Sequence, residues 1–200
     1  RCFDMEACTY LDNSYANLGL ISLSSMNVSD DPGEYQHLLS ITELENEPME
    51  EGYTRESLQK FSEENKNSIR LGTLFIDDRK ENNVFKYNKN GAVISMVMPQ
   101  EEKTNKKYNL DKLLINPAFM DSVFQVCGIH SQVNADEVYL PWEAGEVGVI
   151  NAPREIMNYK AYSRLKYKSG DTKVYDVIML NERNEVCYYA KSVKMRVIHL

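Results

Sequence analysis

Two hundred residues, 42% of them hydrophobic and 26% charged, suit one domain with part of a second and suffice for a buried core. A net charge of −7 argues against generic nucleic-acid binding, and no apolar run approaches membrane-spanning length. No signal peptide opens the chain, so a cytoplasmic protein without a membrane partner is expected. The chain begins with Arg1, which suggests a processed product or a piece of something longer. Cys2, Cys8, Cys127 and Cys187 form no CxxC pair, and His37, His130 and His199 stand at no ligand spacing. Reduced, buried thiols and no metal are expected.

The first fifteen residues show no clear period. Leu18 to Val28 alternates as a strand does, Asp30-Asp31-Pro32-Gly33 reads as a tight turn, and Tyr35 to Glu43 reads as the antiparallel partner. Acidic residues dominate from Ser29 to Asn65, and Glu45 to Gly52 reads as an acidic linker. Thr54 is a plausible N-cap for a helix through about Glu64. Ile69 to Ile76 then reads as a strand interrupted by Gly72. Val84 to Tyr87 leads through Asn88-Lys89-Asn90-Gly91, a hairpin turn, into a buried strand over Ala92 to Met98. Gln100 to Asn109 is a charged loop.

A short helix is predicted from Ile115 to Ile129. Asn116 can cap it, and Pro117 suits the first helical position, where a missing N–H costs nothing. Phe119, Met120, Val123, Phe124, Val126 and Cys127 gather on one arc facing a core. Asp121 and Gln125 lie one turn apart on the opposite side, next to the small residues Ala118, Ser122 and Gly128. His130 just beyond reads as a capping residue whose positive charge would suit the helix dipole.

Val138 to Leu140 resumes strand character before Pro141, and the final sixty residues carry the clearest pattern in the chain. Glu146 to Ile150, Ile156 to Lys168, Lys173 to Asn181 and Glu185 to Ile198 read as antiparallel strands joined by polar turns. Lys160, Arg164, Lys166 and Lys168 share one face, opposite Tyr159, Ala161, Leu165 and Tyr167. The basic face reads as solvated sheet surface or as a dock for an acidic partner protein. One helix followed by a meander with one apolar face implies an α+β fold in which a sheet curls around that helix.

Asn116-Pro117-Ala118-Phe119-Met120-Asp121 with Gln125 resembles the HPAxxDxxxQ signature of dehydratase domains in polyketide synthases. Leu71-Gly72-Thr73-Leu74-Phe75 resembles that family's YGPxF motif, and Leu140-Pro141-Trp142 its LPFSW motif. The strands around Tyr175-Asp176-Val177 and Val193 to Ile198 resemble its last hairpin. These landmarks fall in the family's order between about Thr54 and Leu200.

The resemblance implies a double hotdog, two sheets each wrapped around its own helix, of which this chain holds a part. Residues 1–52 would be the end of the first hotdog and an acidic linker, and 53–200 the second hotdog. It also implies a hydro-lyase that removes water from a β-hydroxyacyl chain on the phosphopantetheine arm of an acyl carrier protein. A histidine of the first hotdog would take the α-proton. Asp121 would protonate the departing hydroxyl, with Gln125 holding it. Gly72, Phe75, Pro117, Leu140 and Pro141 would line the substrate path. No cofactor beyond the carrier's arm is implied, and other synthase domains would be partners. Burial would raise the Asp121 pKa, as an acid needs, while the nearby helix N-terminus would lower it.

The sequence departs from the pattern in three places. HxxxGxxxxP is absent, Asn116 replaces the motif histidine, and Leu71 replaces the tyrosine. Either the histidine-bearing half precedes Arg1, or the domain keeps its shape without activity. The chain alone is therefore expected to be inactive, and an open sheet edge is expected to favour a homodimer. A non-catalytic hotdog module and an isomerase or product-template cyclase are the competing readings.

Overall fold

The computed structural model of the protein describes residues 2–11, 14–24, 32–53, 85–97, 117–133, 137–150 and 158–198. Its centre is an eight-stranded antiparallel sheet. The strands are β3 (Glu50–Tyr53), β4 (Phe85–Asn88), β5 (Gly91–Val97), β6 (Val138–Glu143), β7 (Glu146–Val149), β8 (Asn158–Ser169), β9 (Thr172–Leu180) and β10 (Val186–Ile198). Their spatial order is β3-β4-β5-β8-β9-β10-β6, with β7 pairing the same edge of β10 as β6. Helix α2 (Pro117–Val133) follows β5 and precedes β6 in the chain. Because β8, β9 and β10 fill the space between those two strands, the chain joining them carries α2 across the sheet. The helix packs against β5, β6, β8, β9 and β10. This is the hotdog arrangement, an α+β fold.

The strands form where alternation and turn chemistry agree. The Asn88–Gly91 hairpin is as expected, with the Asn88 side chain accepting the Asn90 N–H at 2.8 Å. Gly170, at φ 55°, turns β8 into β9, and Asn181 Oδ1 accepts the N–H groups of Arg183 and Glu185 in the next turn. β6 runs through Pro141 to Glu143 instead of stopping before the proline. A proline is tolerated there because β6 is an outer strand and Pro141 sits where the register with β10 shifts.

One feature bends the sheet around α2. Ser192 has a φ of 53° in the middle of β10, at a shift of register against β9. The Asp176 carboxylate accepts its N–H at 2.8 Å, and Lys166 pairs with the other oxygen of Asp176 at 3.1 Å. The bulge falls where the neighbour of β10 changes from β7 to β6, and Gly145 donates there to the Lys191 carbonyl at 3.0 Å. A long strand thus turns a corner while the Ser192 N–H and the Lys191 carbonyl stay paired.

Both faces of the sheet centre are covered, not one. Inside, Ile94, Met96, Tyr175, Val177, Tyr188 and Met195 meet Val123, Val126 and Cys127 of α2. Outside, Leu38, Ile41 and Leu44 press on Val93, Tyr162, Ile178, Leu180 and Tyr189. β9 is accordingly buried from Val174 to Leu180 on both faces. The outer cover is α1 (Pro32–Leu39) and the 3-10 turn Ser40–Asn46, where a strand from Tyr35 to Glu43 was expected. Pro32 opens the helix rather than a β-turn, and the three-residue spacing of Leu38, Ile41 and Leu44 fits a helical stripe.

The acidic residues of this cover meet the basic strand face. Glu45 pairs with Lys160 at 2.9 Å and accepts the Tyr162 hydroxyl at 3.0 Å. Glu47 pairs with Arg164 at 3.1 Å and accepts the side-chain amides of Asn90 and Asn88 at 2.6 and 3.1 Å. Glu34 pairs with Lys191. The basic face of β8 is therefore engaged by the chain's own glutamates along Lys160 and Arg164.

A separate two-stranded sheet joins β1 (Cys2–Leu11) to β2 (Ser14–Ser24), so β1, not residues 35–43, is the partner of the strand expected from Leu18. β3 straddles the expected 52/53 division and joins β4 in the main sheet. Cys127 and Cys187 are buried free thiols, and burial pushes the Cys187 pKa up to about 12. The helix expected after Thr54, the strand from Ile69 and the loop from Gln100 to Asn109 lie outside the described residues. Among the described residues, no helix is long and apolar enough to cross a membrane, and no cluster of His, Cys, Asp or Glu is fit to hold a metal.

Candidate functional site on the central helix

Pro117 is the first residue of α2, as its missing N–H predicts. The helix is buried nearly all round in its second half. Val123, Val126, Cys127, Ile129, His130, Ser131 and Gln132 are shielded, whereas Phe124, Gln125 and Gly128 remain half-open. At a hundred degrees per residue those three form one arc, and position 121, one turn before Gln125, falls on it. The arc is part-covered: Phe124 packs on the core, Gln125 Oε1 is shielded, Met195 of β10 reaches Gly128, and Gln132 at its far end is buried. The Asp121 side chain, Gly72 and Phe75 lie outside the described residues.

Gly128 belongs to that arc without being forced by crowding. A methyl group added there would find only the Met195 Cε, at 3.6 Å, an ordinary contact. Gly128→Ala is expected to stabilise the fold by about 0.5–1 kcal/mol, because glycine weakens a helix interior. Thermal melting checks this, and a fall in melting temperature would mean that the arc is tighter than described.

The remaining expected site residues separate across β6. Pro141 pairs with the inward Met195 yet is itself exposed, whereas Leu140 pairs with Arg196 on the outer face and is 50% exposed. Beside Leu140, Trp142 is 64% exposed with the Arg196 guanidinium 5.1 Å from its ring centre. Trp142, Glu143, Asp171, Thr172, Lys194 and Arg196 line an open groove of 340 Å³. Strand alternation puts Lys194 and Arg196 opposite the inward Met195, so this groove lies across the sheet from α2. Its charges balance, and Lys194 is held by both Glu143 oxygens at 2.9 Å.

A polar cluster that the sequence reading missed occupies the C-terminal turns of α2. His130 is 5% exposed and inside the helix, not a charged cap beyond it. Its Nε2 lies 2.8 Å from the Asn88 carbonyl oxygen, and its Nδ1 lies 2.9 Å from the Tyr175 hydroxyl. Ser131 Oγ reaches the same hydroxyl at 2.8 Å. Lys173 donates to the Ser131 carbonyl at 2.7 Å and sits 4.4 Å from the centre of the Tyr139 ring. Burial pushes the His130 pKa down to about 4, outweighing the hydrogen bond to Asn88. The signal was available: His130 falls on the helix between the angular positions of Val126 and Val123, in the middle of the apolar stripe.

The model of the polyketide synthase dehydratase N-terminal domain family matches residues 84–199, more than half of the 200-residue chain. The chain belongs to this family. Among solved structures, this dehydratase-family chain is similar to the dehydratase domain of PpsC from Mycobacterium tuberculosis in complex with C12:1-CoA. The TM-score is 0.57 at 13% identity, over 76% of this chain and 53% of that one. It is also similar to the dehydratase domain from the CurJ module of the curacin polyketide synthase, with a TM-score of 0.56 at 13% identity, over 75% and 50% of the two chains. At such identity the likeness establishes the fold. The dehydratase-family chain spans about half the length of these solved domains. No curated protein matches it.

Proposed function

We propose that this chain supplies the aspartate-bearing, second hotdog of a polyketide synthase dehydratase. The reaction would remove water from a β-hydroxyacyl chain held on the phosphopantetheine arm of an acyl carrier protein. The observation that carries the reading is that Gln125, one turn from position 121 in the signature, stays part-exposed on a helix that is buried nearly all round from Val123 onward. The family match and the likeness to about half the length of solved dehydratase domains support a place within such a domain. The matching family is named for the N-terminal domain, and the placement as second hotdog rests on the signature at 116–125.

In this reaction a base from the other hotdog takes the α-proton, and the Cα–H electron pair forms the carbon–carbon double bond. The Cβ–O bond breaks as Asp121 gives its proton to the oxygen, which leaves as water. An acid and a base on opposite sides of the substrate explain why two hotdogs are needed. Gln125, one turn along the same arc, orients the carboxyl group. By the family resemblance, Gly72, Phe75, Pro117 and Pro141 would border the acyl path, whereas Leu140 faces the other side of the sheet. Other synthase domains and the carrier are the partners. The outer strand β6 is the edge at which a second hotdog or a second copy would join.

The test pairs this chain with a histidine-bearing hotdog and supplies a carrier-bound β-hydroxyacyl substrate. Asp121→Asn is expected to lower dehydration by roughly 10²–10⁴-fold, the usual worth of a positioned acid, without altering the melting temperature. Unchanged turnover would overturn the reading and leave the non-catalytic module, which the absent HxxxGxxxxP motif favours.

A further inference from the structure

The cluster at the end of α2 holds hydroxyl and titratable groups that the proposed elimination does not use. Its hydrogen bonds have only one consistent direction. A carbonyl oxygen can only accept, so Asn88 requires the ring proton of neutral His130 to sit on Nε2. Nδ1 then accepts from the Tyr175 hydroxyl, whose oxygen accepts in turn from Ser131. Ser131, Tyr175, His130 and the β4–β5 turn are thus joined in series. Helix, central strand and hairpin meet in one buried chain of donors and acceptors.

Such a chain does something that the apolar core does not. Contacts such as those of Val123, Val126 and Cys127 hold helix and sheet together but are non-directional, whereas hydrogen bonds weaken steeply when rotated. The bridge from His130 is anchored at both ring nitrogens, on β9 and on the β4–β5 turn. Lys173 also fixes the Ser131 carbonyl. We propose that His130 is a positioning residue: by tying α2 to Tyr175 and the Asn88 carbonyl, it sets the roll of the helix and therefore the direction in which positions 121 and 125 face. Those positions lie about 13.5 and about 7.5 Å back along the same rod, at 1.5 Å per residue. The inference rests on the reading that α2 carries the site.

Protonation is the natural perturbation. A second ring proton would appear on Nδ1, facing a hydroxyl that already donates to it, so the Tyr175 hydroxyl would have to turn its proton away and lose that acceptor. The ionisable groups around the ring are Tyr175 and Lys173 of β9, Cys127 one turn earlier on α2, and Tyr139 of β6 with Glu137 on its hydroxyl. Glu47 grips the Asn88 side chain from the outer cover. Lys173, the nearest cation, opposes a charge on the imidazole.

The experiment is a two-dimensional NMR titration of the 15N-labelled 200-residue chain. As pH falls from about 7.5 to about 3, the backbone amides of 121 and 125 are expected to shift with the same midpoint as the His130 ring. At neutral pH, Tyr175→Phe keeps the ring packing but removes the hydroxyl, and should move the same amides. His130→Gln, which keeps a donor for Asn88, should restore most of the wild-type positions and abolish the titration. If the His130 ring titrates or Tyr175 loses its hydroxyl while 121 and 125 stay still, the cluster acts only locally and the proposal falls. Asp121→Asn should leave the titration intact, so loss of the dehydratase reading would show in turnover and loss of this proposal in the spectra.

Discussion

Gly91→Ala is expected to destabilise the fold by about 3 kcal/mol, seen as a drop of roughly 6–12 °C in melting temperature for a chain of this size. Gly91 opens β5 and pairs with Asn88 on one side and Arg164 on the other. An alanine Cβ would run into the Ser163 carbonyl oxygen, with the Arg164 Cα and Leu44 Cδ2 each at 3.1 Å. Two of those three atoms are backbone inside a ladder, and the third belongs to a fully buried side chain. None can swing aside as the tip of a surface lysine would. Relief requires β5 to part from β8 just where Leu165 donates to the Asn90 carbonyl at 2.7 Å and Glu47 grips both asparagines of the turn. Gly170→Ala is the control. It has a φ of 55° but nothing within 4 Å of an added Cβ, so it should lose only about 1 kcal/mol from backbone strain. Equal losses at the two glycines would mean that β5 does not approach β8 as described.

The contrast between these glycines shows what a sequence reveals and what it conceals. Gly170 is marked by its neighbours, since Lys168-Ser169-Gly170-Asp171 between two alternating runs is a turn by composition alone. The last three strands were legible for the same reason: period-two alternation and turn residues agree there, and no other element competes. Gly91 was legible as a turn residue, but the backbone crossing it belongs to β8, more than seventy residues later, and no local pattern announces such an approach. The outer cover failed for a related reason. Tyr35 to Glu43 mixes polar and apolar residues in a way that alternation also fits, and only the contacts of Leu38 and Ile41 with Ile178 and Leu180 select the helix. The acidic stretch and the basic strand face were each legible, yet their pairing through Glu45–Lys160 and Glu47–Arg164 depends on tertiary structure. On α2 the part-exposure of Gln125 followed from helical period. The role of His130 did not, because a polar residue within an apolar stripe needs a partner that only the fold supplies.

Acid should weaken this protein well before its carboxylates protonate. The folded pKa of His130 is held down to about 4 by burial, against about 6.5 in an unfolded chain. Between those values the unfolded state binds a proton that the folded state refuses, so stability falls as pH falls. The contribution is complete at neutral pH, begins to fade near pH 6.5 and is gone near pH 4, a loss of about 3 kcal/mol at 1.36 kcal/mol per unit. Glutamates act in a separate window. Hydrogen bonding from Asn90, with Asn88 and Arg164, holds Glu47 below the usual carboxylate range. Burial alone would raise Glu146, yet the Tyr189 hydroxyl and Lys191 hold it low as well. Their stabilisation is lost only as pH drops below about 4.5 through their folded values. Denaturant unfolding of the wild-type chain at intervals from pH 7 to pH 4 should therefore show a decline in two stages. His130→Gln, which donates to the Asn88 carbonyl but does not titrate, should erase the first stage and leave the second. Parallel curves for the two proteins above pH 4.5 would mean that the imidazole takes up its proton freely while folded. The series from Ser131 through Tyr175 to Asn88 would then not be closed to the charged ring.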